Sequence, residues 1–241
     1  MKDAPFLIIE TGLPAQPVRR YGHFDHWIRV GARLRRDEAV TCHVHAGDEL
    51  PEHDGWCGVF VTGSASMVTE RLAWSEQSAS WLQEAHRQRL PVFGICYGHQ
   101  LIAQAFGGRV DFHPRGREMG TVPVHLRDGA QQDPLFAGLP AQFRAQTTHL
   151  QSVLDAPPEA VVLADSPHEP CNAFRIGSTT WGVQFHPEFS TPQMRGYIRA
   201  RADVLRKEGL DPQALWKQVN PAPHSRALLS RFVRHARHDA A

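Results

Sequence analysis

The stretch Pro91-Val92-Phe93-Gly94-Ile95-Cys96-Tyr97-Gly98-His99-Gln100 has the form Gly-x-Cys-x-Gly and lies between an apolar run and an amphipathic one. Leu90 to Ile95 reads as a short buried strand entered through Pro91. Gly98 to Phe106 places Leu101, Ile102, Ala105 and Phe106 on one face of a helix that ends at Gly107-Gly108. A nucleophile at such a strand-to-helix turn is presented at the carboxyl end of a sheet, where open α/β folds bind ligands. Glycines two residues to either side remove the Cβ atoms that would hold strand and helix apart. The helix N-terminus carries partial positive charge, which favours a thiolate at Cys96. The Tyr97 N–H is placed to stabilise an oxyanion. The competing reading is a buried structural cysteine, which is the commoner fate of a free thiol.

Outward from this turn, strands and helices alternate. Pro5 to Ile9, Ala39 to His45 and Trp56 to Thr62 read as strands, and Phe24 to Leu34 and Ser75 to Gln88 as helices. From Arg109 to Phe189 the texture is β-rich. Short runs lie near Gly120 to Leu126, Gln142 to Thr147, Ala160 to Ala164, Ala173 to Ile176 and Thr179 to Phe185. Met194 to Arg206 and Ser225 to His238 read as basic helices. This order predicts an α/β fold with a mostly parallel central sheet, helices on both faces and a β-rich insertion. It predicts one domain over 1–241, with a core of about 6–189 and a helical extension over 190–241.

Composition removes several classes. The 241 residues carry 26 lysines and arginines against 25 acids, a net charge of +1, where a nucleic-acid binder has a marked basic excess. No apolar run approaches the ~18 residues of a membrane span, and Phe6 to Ile9 is too short for a secretory signal. Cys42, Cys57, Cys96 and Cys171 lack Cys-x-x-Cys spacing, so a metal ribbon, a redox dithiol and a disulfide scaffold are not expected. What remains is a soluble, cytoplasmic, globular protein with no cofactor and no metal.

A nucleophilic thiol needs a base, and the base needs an orienting group. Trp181-Gly182-Val183-Gln184-Phe185-His186-Pro187-Glu188-Phe189 offers both. In extended backbone His186 and Glu188 point to one side, so the carboxylate can accept the imidazole N–H. Most of the other 14 histidines have no such setting and read as surface or packing residues; His99, on the helix after Cys96, reads as packing or solvent-facing.

With Cys96, His186 and Glu188 together, the chain resembles the class I, triad-type glutamine amidotransferases, and most of all the glutaminase domain of GMP synthase and its stand-alone relatives. The resemblance covers about Phe6 to Phe189. It implies a flavodoxin-like three-layer fold. It implies that Cys96 attacks the glutamine side-chain amide, that His186 moves protons, that Glu188 orients His186 and that water hydrolyses a γ-glutamyl thioester. It places the oxyanion hole at the N–H groups of Gly63 and Tyr97. It also implies substrate contacts from Gln100 and from Thr148, Leu150 and Gln151, where relatives often carry Ser-His-Gly-Asp. Arg117-Glu118-Met119-Gly120 resembles a glutamate-containing segment of stand-alone members, although Glu118 by itself reads as a solvated surface residue.

Three functions compete. The first is ammonia release for a separately encoded synthase subunit, since residues 190–241 are too few for an ATP-dependent synthase and no phosphate loop is present. The second is hydrolysis of another γ-glutamyl compound without a partner, slightly favoured by Leu150-Gln151. The third is a non-catalytic binding or regulatory module, which the intact triad disfavours. A cysteine-elbow stress protein would lack the His-Pro-Glu segment. The C-terminal arginines, among them Arg195, Arg199, Arg201, Arg226, Arg231 and Arg237, read as a solvated face, with an acidic docking partner as the alternative.

Overall fold

Strand β1 (Phe6–Ile9) is buried at every position, as a strand covered on both faces must be. Its side chains alternate between two apolar clusters, Phe6 and Ile8 in one and Leu7 and Ile9 in the other. The computed structural model describes residues 4–239. β1 pairs in parallel with β2 (Ala39–Cys42) and β3 (Gly58–Val61). β3 pairs in parallel with β4 (Val92–Ile95), and β4 with β11 (Thr180–Val183). Helices α1 (Phe24–Ala32) and α7 (Pro223–Asp239) cover one face of this parallel half, and α2 (Ala73–Arg87) and α3 (Tyr97–Ala105) cover the other. The expected α/β three-layer fold is therefore present around Cys96.

The β-rich segment is a continuation of the same sheet. From β11 outward, β10 (Ala173–Ile176), β9 (Ala160–Asp165), β6 (Glu118–Leu126) and β7 (Gln142–His149) follow one another antiparallel, giving nine strands. A separate two-stranded sheet, β5 (Arg109–Phe112) with β8 (Gln151–Asp155), was not legible as strand. The segment read as one helix from Met194 is two, α4 (Thr191–Ala200) and α5 (Ala202–Lys207), with Arg201 at their junction. The short α6 (Pro212–Lys217) follows, its Asp211 carboxylate accepting the Gln213 N–H at 2.8 Å. Among the described residues no helix is long and apolar enough to cross a membrane.

The turn into α3 has the strain its sequence predicts. Cys96 has φ +52 and ψ −100, a conformation costing a non-glycine residue on the order of 1–3 kcal/mol. Its N–H donates to the Val183 carbonyl at 2.8 Å and its carbonyl accepts the Gln100 N–H at 3.0 Å, so sheet and helix both hold it. The flanking glycines are obligatory on steric grounds. A Cβ at Gly94 would lie 2.6 Å from the Gly98 carbonyl oxygen, and one at Gly98 would lie 2.6 Å from the Val61 carbonyl oxygen.

The apolar core continues past Phe189. Phe232 of α7 packs on Phe60 at 4.9 Å, Phe93 at 5.4 Å, Trp181 at 6.2 Å and Phe6 at 6.3 Å between ring centroids. The basic helices are only partly the solvated face expected of them. Arg226 donates to the Glu188 carbonyl, Arg231 to the carbonyls of Leu135 and Ala137, and Arg237 pairs with Glu38. Charge on a sequence cannot reveal that the long stems lie along the protein while the guanidinium groups serve as backbone donors. Phe232→Ala is expected to cost about 3–5 kcal/mol. A shift of the urea midpoint of the full chain measures this; a change below 1 kcal/mol would mean that α7 is not part of the core.

Candidate active site

Cys96 is 6% exposed, at the carboxyl ends of the parallel strands. His186 reaches it from the loop after β11. The sequence reading had His186 and Glu188 on one side of an extended strand. Instead β11 ends at Val183 and residues 187–188 form a turn, closed by the Phe189 N–H to the His186 carbonyl at 3.2 Å. Pro187 favours such a turn because its φ is fixed and it has no N–H to pair. The turn brings the Glu188 carboxylate to His186 Nδ1 at 2.8 Å, with both side chains buried. Nδ1 therefore carries its proton toward Glu188, and Nε2 is left to exchange one with the thiol. The imidazole lies flat on Phe189 at 4.1 Å, with Phe24 at 6.4 Å in near-parallel orientation, which fixes the ring plane.

Peptide planarity fixes where the two N–H groups expected to form an oxyanion hole point. The Thr62 carbonyl accepts the Gly98 N–H at 3.2 Å and the Thr11 hydroxyl at 3.0 Å. In a trans peptide the N–H points opposite to the carbonyl, so the Gly63 N–H faces away from these partners. A Cβ on Gly63 would lie 3.0 Å from His186 Cε1 and 3.6 Å from Cys96 Cβ, so residue 63 borders the reacting atoms and has no room for a larger side chain. By the same geometry the Cys96 carbonyl, held by the Gln100 N–H, directs the Tyr97 N–H out of the helix start.

The remaining expected residues gather here too. Gln100, Thr148, Leu150 and Gln151 line one cavity with Cys96 and Tyr97. The Gln100 side-chain amide donates to the Gln151 carbonyl at 2.6 Å and to Gln184 Oε1 at 2.9 Å, so its donors brace the cavity wall. The Thr148 carbonyl lies 3.9 Å from Cys96 Sγ. His99 is fully buried against Phe174 at 4.7 Å, and burial pushes its pKa down to about 3, so it packs as a neutral ring. Cys42, Cys57 and Cys171 are buried free thiols that burial pushes up, Cys171 to about 12. Among the described residues, Glu10, His23 and Asp25 form the one group with ligand atoms within 4.8 Å that could hold a metal; none of them lines the cavities beside Cys96 and His186.

Glu118 and His149 are placed differently from what their local sequence suggests. Glu118 is 8% exposed, not a solvated surface glutamate, and its carboxylate meets His149 Nε2 at 3.1 Å. His149 Nδ1 faces the Gln151 carbonyl at 3.0 Å. Both ring nitrogens thus face acceptors, which only the imidazolium satisfies. Burial opposes that charge but Glu118 outweighs it, so the His149 pKa is raised. The signal available in sequence was a histidine between two expected substrate residues; its acid lay 31 positions upstream in a different strand.

These charges act on the thiol. Burial alone would push Cys96 up, but the charge and hydrogen bond of His186, then the charge of His149, outweigh it and hold the thiol below the ordinary cysteine range. Burial likewise opposes the His186 imidazolium, but Glu188 and the Cys96 sulfur push its pKa up to about 10. Both shifts favour the thiolate–imidazolium pair over the neutral thiol and imidazole. The pair is lost as pH falls through the lowered thiol pKa or rises through that of His186. Glu118→Gln removes the support for the His149 charge, so the pH midpoint for alkylation of Cys96 by iodoacetamide should move upward. An unchanged midpoint would show that His149 carries no charge that the thiol feels.

Residues 28–202 match the model of the family described as glutamine amidotransferase class-I. Among curated proteins, the glutamine-hydrolyzing GMP synthase of Aeropyrum pernix is 43% identical over 142 residues, covering 59% of this chain and 25% of that protein. That of Thermomicrobium roseum is 38% identical over 160 residues, covering 65% and 28%. The chain thus spans little more than a quarter of the length of these relatives. A glutamine amidotransferase from Thermotoga maritima shares the fold with TM-score 0.76 at 20% identity, over 95% of this chain and 98% of that one. One from Methylobacillus flagellatus does so with TM-score 0.69 at 24% identity, over 98% and 93%. With a family match across most of its length and this fold beneath it, the chain belongs to the class I glutamine amidotransferases.

Proposed function

We propose that the chain hydrolyses the side-chain amide of glutamine through a γ-glutamyl thioester on Cys96, with His186 as proton carrier and Glu188 as its orienting group. The observation that carries this reading is the buried His186–Glu188 contact of 2.8 Å beside a thiol held on a strained elbow. The Cys96 thiolate attacks the amide carbon, and the N–H groups of Gly63 and Tyr97 take the oxyanion. The His186 imidazolium gives its proton to the departing nitrogen as the C–N bond breaks. Water then loses a proton to His186 and attacks the thioester. The C–S bond breaks, glutamate leaves, and the ion pair is restored. No metal or cofactor enters these steps.

Ammonia released here is useful when an acceptor captures it, so this reading calls for a synthase as partner. The similarity to glutamine-hydrolyzing GMP synthases supports that partner class. Cys96→Ala should lower glutamate release from glutamine by at least ~10³-fold, and His186→Ala by about 10²–10⁴-fold. A glutamine-analogue electrophile should add its mass to the Cys96 peptide and to none containing Cys42, Cys57 or Cys171. Failure of Cys96 to take the label, together with no glutamate release, would sink the enzymatic reading.

A further inference from the structure

Two cavities flank the reacting pair, and they differ in size and lining. The one at Cys96, Tyr97 and Gln100 is small, about 40 Å³. The one on the His186 side is about 160 Å³ and is walled by Leu13, Pro14, Phe24 and Tyr197, with Arg19 and Arg201. Arg201 and Thr148 border both. The departing nitrogen takes its proton from His186, so the leaving group belongs on the His186 side. Ammonia is the size of a water molecule, which occupies about 30 Å³ in the liquid. The cavity on that side is several times larger than such a leaving group requires.

The charge of this cavity is also in excess of what ammonia requires. Arg201 is half-buried at the junction of α4 and α5, and its Nε is buried with no hydrogen-bond partner among the described residues. The neighbouring cation, Arg117, is neutralised by two bonds to Glu208 at 2.8 and 3.0 Å. Burial and then the charge of Arg117 hold the Arg201 pKa below the ordinary arginine range, outweighing the opposing pull of Tyr197, Cys96 and Glu208. Arg19 stands at the exposed rim, its Nε donating to the Pro14 carbonyl at 2.8 Å. A partly desolvated guanidinium is best satisfied by a planar carboxylate held through two parallel hydrogen bonds.

We propose that this cavity is a leaving-group subsite for an amine that carries a carboxylate, so that the chain cleaves γ-glutamyl amino acids or short γ-glutamyl peptides, the carboxylate of the leaving residue pairing with Arg201. This rests on the thioester chemistry above and changes only what leaves. The bond between the γ-carbonyl carbon and the amino acid nitrogen breaks as the thioester forms. His186 gives its proton to that nitrogen, and water completes the hydrolysis to glutamate and a free amino acid. Arg19 at the rim would meet the further charge of a longer or acidic leaving group.

The test compares three substrates with the full chain: glutamine, γ-glutamylalanine, and γ-glutamylethylamide, which has a similar leaving amine without the carboxylate. The wild-type kcat/KM should favour γ-glutamylalanine over the ethylamide by about 10–100-fold, the range of one charged hydrogen-bonded contact. In Arg201→Met, which keeps much of the side-chain stem, the ratio should fall toward one. A wild-type ratio near one overturns the proposal without recourse to any variant, and so does an undiminished ratio in a folded Arg201→Met protein. Turnover of glutamine with no preference for the carboxylate would overturn this subsite alone. No turnover of any of the three, with Cys96 unlabelled by a glutamine-analogue electrophile, would overturn the thioester reading along with it.

Discussion

Helix α3 lies as close to β3 and β4 as backbone atoms permit, because positions 94 and 98 lack Cβ atoms. With side chains at both, the carbonyl oxygens of Gly98 and Val61 would be 2.6 Å from carbon, and the helix would have to withdraw. Much of the site is measured from that contact. It sets where the Cys96 thiol emerges. It lets the Gly98 N–H reach the Thr62 carbonyl and so turn the Gly63 N–H away from it. It also brings Gln100 to the Gln151 carbonyl across the cavity. Backbone strain at Cys96 is tolerated because hydrogen bonds from sheet and helix hold the residue on both sides.

The electrostatics of the site follow from burying many charges in one place. The lowered thiol pKa and the raised pKa values of His186 and His149 favour alternating charges, with the Glu188 and Glu118 carboxylates set against the two rings. Each pair alone would face a heavy desolvation cost. Together they interleave, and Arg201 adds a cation at the cavity wall. The His149–Glu118 pair is the part that a triad description omits. The charge of its histidine reaches the thiol.

The residues legible in sequence were those joined by local spacing. Gly94, Cys96 and Gly98 sit within one turn, and His186 and Glu188 are two positions apart, so short patterns suffice. Gly63 was placed by the family resemblance, since a glycine at a strand end reads equally well as a plain turn. Strands β1, β3 and β4 were legible as apolar runs, since burial on both faces leaves no polar interruption, and the edge strand β2 only as a weak alternation. Strands β5 and β8 were not, because Arg109, Asp111 and Phe112 face outward and mask any alternation. Glu118 and Arg201 were missed for a related reason. A charged side chain reads as solvated unless its partner is near in sequence, and His149 and the wall of the cavity beside His186 are brought to them only by the fold.

Phe232 seats against Phe6, so the two ends of the described chain meet in one apolar cluster. During synthesis on the ribosome the parallel strands are complete long before α7 emerges, and the face that α7 covers stays open to water until then. Arg226 of that helix also secures the loop that carries His186 by donating to the Glu188 carbonyl. Helix α7 thus closes the core and braces the His186 loop together, and a ribosome-bound chain truncated before α7 holds Cys96 and His186 without that brace.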